Sequence, residues 1–399
     1  MNFFAIRFWL LAAALATVSC GPNGGGAKTG TDAGGGGADA SGSGGADALG
    51  AGGTDAAAAP ADGSGGAGGV SGAGGASGTG GALPASRCSF NSGGDGAAAG
   101  TPATEMVVLG RLARFLDDAS SAPAGVTASA TALATAAFAT AAATTILDDH
   151  VAKGTEAAGL VRFLLTWLKL PMNNAAPAHT WSRTLLAPNA TLNTLFTAPT
   201  GDTHRSGVFT DRVLLSVRTA ISSRGRWLAE NVFCAPPFGD VTQIHLEIPA
   251  DTTPGITGRQ RLTKELALLP ACAACHNQFD PPGFALEHFD EMGAYRDQDS
   301  SLPVDSAGMV LPPLPALNFT SIDDLAPQMA MSCAVAYCFA NELLTDAFGG
   351  AAPAMAMPVA PAFSRSEADQ VATAFVNANL SVRALVAAIV ATPSFLRGP

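Results

Sequence analysis

The chain has 399 residues, a formal net charge of −11 and 46 glycines, and 48% of its residues are hydrophobic. An acidic chain is repelled by nucleic acid and by anionic membrane surfaces, so its composition argues against both as charged partners. An N-terminal leader and a glycine-rich stretch do not count toward the number of domains, because neither is expected to form a hydrophobic core. The remaining chain is long enough for one large or two ordinary domains.

The first twenty residues have the pattern of an exported protein. Arg7 supplies a positive charge, and the apolar run at 8–18 is too short to cross a bilayer. Residues 17–20, Thr-Val-Ser-Cys, resemble a bacterial lipobox, so we predict a lipoprotein-type signal peptide over 1–20 with lipidation at Cys20. Thr17 stands where leucine is usual, which leaves ordinary signal cleavage as the alternative. The prediction is a lipid-anchored protein of the cell envelope, at the outer membrane on its periplasmic or surface side.

Residues 21–86 consist almost wholly of glycine, alanine, serine, aspartate and threonine. Such a segment buries too little apolar surface to offset the entropy cost of ordering its backbone. We therefore predict a disordered linker between the lipid and the folded part.

The folded part is predicted to be mainly α-helical. Phe163, Leu164 and Trp167 recur at helical spacing, and Pro171 ends that pattern. Ser366 is the expected N-cap of a later helix, and a short strand is expected at 243–248. Helices are predicted at 105–118, 127–147, 156–170, 211–222, 226–233, 322–347, 366–379 and 382–391.

A C-x-x-C-H motif at 272–276 carries the most specific chemistry. In an exported protein this motif attaches a c-type haem: Cys272 and Cys275 form thioethers, and His276 is the proximal iron ligand. One alternative is a Cys272–Cys275 disulfide. A zinc site would need a fourth ligand such as His288 and normally a second tight pair, and a thioredoxin-like site would need a βαβ unit.

The ligand on the other face of the iron would decide what such a haem does. A methionine sulfur favours electron transfer, whereas an open position permits peroxide chemistry. The candidates are Met292, Met309, Met329, Met331 and His288. Met309, in a Gly-Met-Val-Leu-Pro loop, is the predicted distal ligand, although any one methionine is more often core filler.

The segment after the motif is expected to form part of the structure around the haem. Pro281 and Pro282 should turn the chain away from helix, and Phe279, Phe284 and Phe289 can cover a porphyrin face.

Three acidic residues follow, Glu287, Asp290 and Glu291, with no partner acid for catalysis. We interpret them as a solvated face or as ion-pair partners of Arg296.

Four further cysteines fit an oxidising compartment: Cys88, Cys234, Cys333 and Cys338. They permit two disulfides in three pairings. Cys333 and Cys338 lie five apart in a predicted helix, where a mutual bond would be strained, so we expect each to pair elsewhere or one to stay a thiol.

Several motifs around the C-x-x-C-H sequence occur in a characteristic order. They are Ser-Arg-Gly-Arg-Trp-Leu at 223–228, Phe-Cys-Ala-Pro-Pro at 233–237, the stretch 259–262, and Phe-Asp-Pro-Pro-Gly-Phe-Ala-Leu-Glu-His-Phe-Asp at 279–290. This set closely resembles the cytochrome c-like domains of unknown function in planctomycete and myxobacterial multidomain surface proteins. The resemblance extends over 105–397, with a preceding helical domain and a small C-terminal companion. It implies haem attachment and a fold, but no particular reaction.

The predicted organisation is a signal peptide at 1–20, a linker at 21–86, a helical domain at 87–220, a cytochrome c-like domain at 221–300 and a helical companion at 301–399. The predicted function is electron transfer through one covalent haem c, to a redox partner protein that the sequence does not identify. The alternatives are a haem-free structural or binding protein with a Cys272–Cys275 disulfide, and a haem peroxidase.

Overall fold

The structure is a computed structural model, and it describes residues 88, 90, 100–119, 125–238, 253–349 and 363–397. These residues are mainly helical, as predicted. The helices are α1 Glu105–Asp117, α2 Ala136–Lys153, α3 Ala158–Trp167, α4 Ala176–Leu186, α5 Leu192–Thr197, α6 Arg212–Ser216, α7 Ile221–Trp227, α8 Gly258–Leu268, α9 Pro270–Phe284, α10 Ile322–Ala330, α11 Cys333–Ala347, α12 Arg365–Asn377, α13 Val382–Val390 and α14 Pro393–Arg397.

Short irregular helices and strands connect these elements. Two 3-10 turns lie at Met172–Asn174 and Val208–Thr210, and a π-helical turn, Leu228–Val232, follows α7 directly. Two antiparallel pairs join β1 Gln298–Asp299 to β2 Leu302–Pro303, and β3 Gly308–Val310 to β4 Leu317–Phe319.

Two helix starts differ from the sequence prediction because side chains cap the backbone elsewhere. The helix predicted from 127 begins at Ala136, since Thr135 accepts a hydrogen bond from the Phe138 N–H. In the C-terminal part the N-cap is Ser364 rather than Ser366. Ser364 forms a capping box with Glu367, in which each side chain bonds the other's backbone N–H.

A continuous hydrophobic core runs from α1 to α14. Aromatic rings form its centre. The ring centre of Trp167 lies 6.3 Å from that of Phe196 and 5.3 Å from that of Phe339, and the ring centres of Phe339 and Phe375 are 6.0 Å apart. These rings join α3, α5, α11 and α12. Aromatic pairs of this kind add to the stabilisation that area burial provides.

The predicted exit from helix after the C-x-x-C-H motif is wrong. α9 continues through Pro281 and Pro282 to Phe284. Each proline lacks the N–H that an interior helical residue donates, but both lie in the last turn, where α7 packs tightly against the helix. This packing holds the turn in place.

Several predictions concern residues outside the described ranges. They are the signal peptide at 1–20, lipidation at Cys20, the linker at 21–86 and the strand at 243–248. Within the described part, no helix has the length and apolar character needed to span a membrane. The domain boundaries at 220 and 300 stay predictions.

Candidate functional site

Helix α9 carries the three residues of the predicted haem site on one face. Cys272, Cys275 and His276 stand at positions i, i+3 and i+4, which are neighbours on a helix surface. Cys272 is 6% exposed and His276 is 8% exposed. Pro270, whose missing N–H costs nothing at a helix start, opens the helix.

Two glycines allow α7 to pack directly against the backbone of α9. A Cβ at Gly225 would lie 2.0 Å from the carbonyl oxygen of Phe279, and a Cβ at Gly283 would lie 2.4 Å from that of Ile221. Both distances are shorter than any real contact, so only glycine fits at either position. The backbone beside His276 is therefore held in a fixed position by α7.

Arg224 fixes the chain that follows α9. Its guanidinium is buried and donates hydrogen bonds to the carbonyl oxygens of Arg218, Leu286, Phe289 and Asp290. Burial lowers the pKa of Arg224 to about 10, so the side chain remains charged at neutral pH. The arginine of the 223–228 motif therefore joins α7 to the chain that follows α9.

The imidazole of His276 is oriented by Asp280, one helical turn later. His276 Nδ1 lies 2.9 Å from Asp280 Oδ2, and the Ser222 hydroxyl lies 3.4 Å from the same nitrogen. An ionised carboxylate can only accept, so Nδ1 donates and Nε2 is left as the nitrogen that can bind a metal. Metal-binding histidines commonly have this kind of partner on the other ring nitrogen.

Only one of the two carboxylate oxygens of Asp280 has a hydrogen-bond partner among the described residues. The residue is 2% exposed, and its Oδ1 atom is buried without a hydrogen-bond partner among the described residues. A buried polar atom of this kind is uncommon in folded proteins and is one mark of a site that holds a ligand or a water molecule.

A cavity of about 500 Å³ lies beside His276 and Asp280. Leu262 and Leu266 of α8 form one wall, and Phe284 forms another, with the Arg259 guanidinium 4.1 Å from the centre of the Phe284 ring. The volume is within the range of about 300–1,000 Å³ that small-molecule sites occupy. The cavity thus combines apolar walls with one imidazole and one buried carboxylate.

The three phenylalanines predicted to cover a porphyrin lie in different places. Phe284 lines the cavity. Phe279 is fully buried, and it packs against the His276 imidazole with the two ring centres 4.7 Å apart. Phe289 packs instead against Tyr295 and Arg205.

None of the candidate distal ligands is among the described residues that line this cavity. Met309 is in β3 with 42% of its surface exposed, and Met329 is in the core. Met292 and Met331 are exposed. The ring of His288 stacks on Tyr295, and its Nδ1 bonds the carbonyl oxygen of Arg296.

The acidic residues after α9 do not form a uniformly solvated face. Glu287 is 4% exposed, and its Oε2 lies 3.8 Å from Arg296 Nη2, so the ion-pair interpretation fits this residue. Burial raises the pKa of Glu287 to about 7, although Arg296 and Arg224 oppose the shift. Asp290 accepts backbone hydrogen bonds from Met292 and Ala294, and Glu291 is exposed.

The structure joins Cys88 to Cys333 and Cys234 to Cys338. Cys333 and Cys338 thus have separate partners. Among the described residues there is no disulfide between Cys272 and Cys275.

The sequence analysis does not predict the role of Asp280, which occurs there only as one residue of the 279–290 motif. A usable signal was present, because Asp280 follows His276 by four residues, the spacing at which helical side chains meet. Ser222 could not be found in this way, since it reaches His276 from another helix.

Comparison with known proteins gives one match. No curated protein and no solved structure is significantly similar to the chain. Residues 205–299 match the model of the PSCyt3 family, which is described as a protein of unknown function (DUF1588). The matched segment contains the C-x-x-C-H motif, Arg224, Asp280 and the cavity wall formed by α8 and α9. This part of the chain is therefore similar to a domain family whose name is cytochrome-like and whose function is unknown.

Proposed function

We propose that this protein is a c-type cytochrome-like electron-transfer protein with one covalent haem. The observation that carries the proposal is the orientation of His276: its Nδ1 is held by Asp280 beside the cavity, within a C-x-x-C-H helix. Nε2 is thereby left to act as the proximal iron ligand.

His276 and the apolar wall of the cavity fit such a group, whereas Cys272 and Cys275 do not line the cavity and would have to reach it from the same helix. Cys272 and Cys275 would hold it by two thioethers, each formed when a thiol S–H adds across a porphyrin vinyl group without net oxidation or reduction. Leu262, Leu266 and Phe284 would contact its faces and edges. When bound, haem supplies an iron that exchanges one electron reversibly.

The distal ligand separates electron transfer from peroxidase chemistry. Met309 remains our proposed ligand, and it would have to move from its exposed position in β3 to reach the iron. With the distal position open, the same site would support the alternative of a haem peroxidase.

A haem-free structural or binding protein is the second candidate, because neither Cys272 nor Cys275 is among the described residues that line the cavity beside His276. In that case the His276–Asp280 pair would only stabilise α9.

The cellular setting that we propose is a lipid anchor at Cys20, with the folded part in the cell envelope at the outer membrane. Such a protein would exchange electrons with a partner protein in the same compartment. The export pattern of residues 1–20 supports this.

The test is expression of the full chain with and without a cytochrome c maturation system, followed by a haem stain on a denaturing gel and a pyridine haemochrome spectrum. We expect one covalent haem per chain with the maturation system, and none in a Cys272→Ala/Cys275→Ala variant. The control is Gln278→Ala, on the same helix, which leaves the C-x-x-C-H motif intact and should still attach one haem. Folded wild-type protein that carries no haem, beside a known cytochrome that matures in the same cells, would refute the proposal in favour of the haem-free candidate.

A further inference from the structure

A second cavity, of about 450 Å³, shares no lining residue with the cavity beside His276. Its walls come from α1, α3, α11 and α14. We call it the arginine cavity and define it by Arg111, Arg114, Arg162, Asp346, Phe348 and Phe395.

One arginine of this cavity is neutralised inside the protein. Arg162 Nη2 lies 2.8 Å from Asp346 Oδ2, and Arg162 Nη1 lies 2.5 Å from Asp118 Oδ1. These two carboxylates raise the pKa of Arg162 against the effect of burial. The ion pairs account for both acidic residues that line the cavity.

The other two arginines are not neutralised. Arg111 and Arg114 are three residues apart on α1, so they lie on one face of the helix. Arg111 Nη1 donates to the carbonyl oxygen of Phe395, and neither guanidinium forms an ion pair with a described residue. Burial and the nearby Arg114 charge together lower the pKa of Arg111. Two adjacent positive charges facing one cavity are an unusual feature in a chain whose net charge is −11.

The rest of the wall is apolar. The Phe395 ring centre lies 6.3 Å from that of Phe115 and 6.0 Å from that of Phe348, and Ala347 continues this surface. Phe115 and Phe395 are almost fully buried and Phe348 is half-buried, so a ligand that fills the cavity would contact positive charge on one side and chiefly the Phe348 ring on the other.

We propose that the arginine cavity binds an organic carboxylate with an apolar body. A guanidinium donates two parallel hydrogen bonds to a carboxylate in a geometry that matches both groups. The charge of the ligand would offset the repulsion between Arg111 and Arg114, and the apolar body would lie against Phe348 and Ala347. The proposal does not depend on haem.

The test is calorimetric titration of the full chain at constant ionic strength with benzoate, acetate and inorganic phosphate. We expect saturable binding of one benzoate per chain, at least about tenfold tighter than acetate or phosphate, because only benzoate buries a ring. Arg114→Gln should weaken benzoate binding about tenfold or more, the usual effect of losing a hydrogen bond to a charged group. Arg114 is exposed and its side chain holds no described residue, so this variant should fold normally.

The matched control is Arg183→Gln, which removes the same charge from α4, where Arg183 pairs with Glu156 away from the cavity. It should bind benzoate as the wild type does. The proposal is overturned by an absence of saturable binding, by equal affinities for benzoate and acetate, by stronger binding of phosphate, or by losses of equal size in the two variants.

Discussion

Two buried carboxylates, Glu367 near the C-terminus and Asp280 in α9, are similarly hidden from solvent but differ in their hydrogen bonds. Glu367 accepts from the backbone N–H and hydroxyl of Ser364 and from those of Ser394. Asp280 accepts at Oδ2 alone, and its Oδ1 has no partner among the described residues. A carboxylate with both oxygens hydrogen-bonded stabilises the fold, whereas a buried carboxylate oxygen without a partner beside a histidine is one mark of a functional site.

The largest expected effect is at Glu367. Glu367→Ala should lower the free energy of unfolding by about 3 to 4 kcal/mol, because the donors of the buried Ser394 and of the half-buried Ser364 would lose their acceptor, at about 1–3 kcal/mol per buried group. Urea unfolding at neutral pH measures this. Gln370→Ala, on the exposed side of the same helix, should change the free energy by less than about 0.5 kcal/mol.

The pH dependence of the Glu367 effect has a definite sign. Burial alone would raise the pKa of Glu367, but the hydrogen bonds from Ser364 and Ser394 outweigh it and lower the pKa. A lowered pKa stabilises the folded state above the unfolded value of 4.5, and this contribution is lost as the pH falls through the folded value. The difference between wild type and Glu367→Ala should therefore shrink in acid, and a constant difference would contradict this account.

Glu287 should show the opposite dependence. Burial raises its pKa from 4.5 to about 7. Because a change of one in the pKa corresponds to about 1.4 kcal/mol, this difference corresponds to on the order of 3 kcal/mol in the free energy of unfolding. The folded protein keeps a proton that the unfolded chain loses first, so stability should fall as the pH rises from about 4.5 to about 7. Glu287→Gln should remove this slope, and unfolding curves between pH 4 and 8 measure it. Glu291→Gln, at an exposed neighbour, should leave the slope intact.

The smallest of the three effects concerns Asp280. If haem is attached, Asp280→Asn should raise the reduction potential by about 59 mV, a tenfold change in preference for ferrous over ferric iron, because a neutral amide makes the His276 imidazole a weaker donor to the metal. Spectroelectrochemical titration measures the potential. Ser222→Ala removes the longer contact of 3.4 Å and should shift the potential much less. Equal potentials in wild type and Asp280→Asn would show that the carboxylate has only a structural role.

The sequence predicted features that depend on local pattern. The helical class, the end of α3 before Pro171 and the start of α1 at Glu105 follow from spacing and chain breakers, and the structure has them. The start of α2 could not be foreseen, because Ser129 bonds the distant Glu105 carboxylate and keeps residues 127–134 out of the helix.

Features that depend on tertiary packing were not predictable. The continuation of α9 through Pro281 depends on contact with Gly225, more than fifty residues earlier in the chain. The cavity beside His276 exists because α8 crosses α9, and α8 itself was not predicted. The partners of Cys333 and Cys338 were left open for the same reason, since cysteine spacing does not determine which segments meet.

The two disulfides have a topological consequence for the integrity of the chain. The bond from Cys88 to Cys333 and the bond from Cys234 to Cys338 interleave along the sequence, and both end on α11. A single peptide-bond cut between Cys88 and Cys333 leaves the fragments joined by the first bond, and a cut between Cys333 and Cys338 leaves them joined by the second. A protease that makes one such cut would therefore release no fragment until a reductant arrives, and the cut would be visible only on a reducing gel.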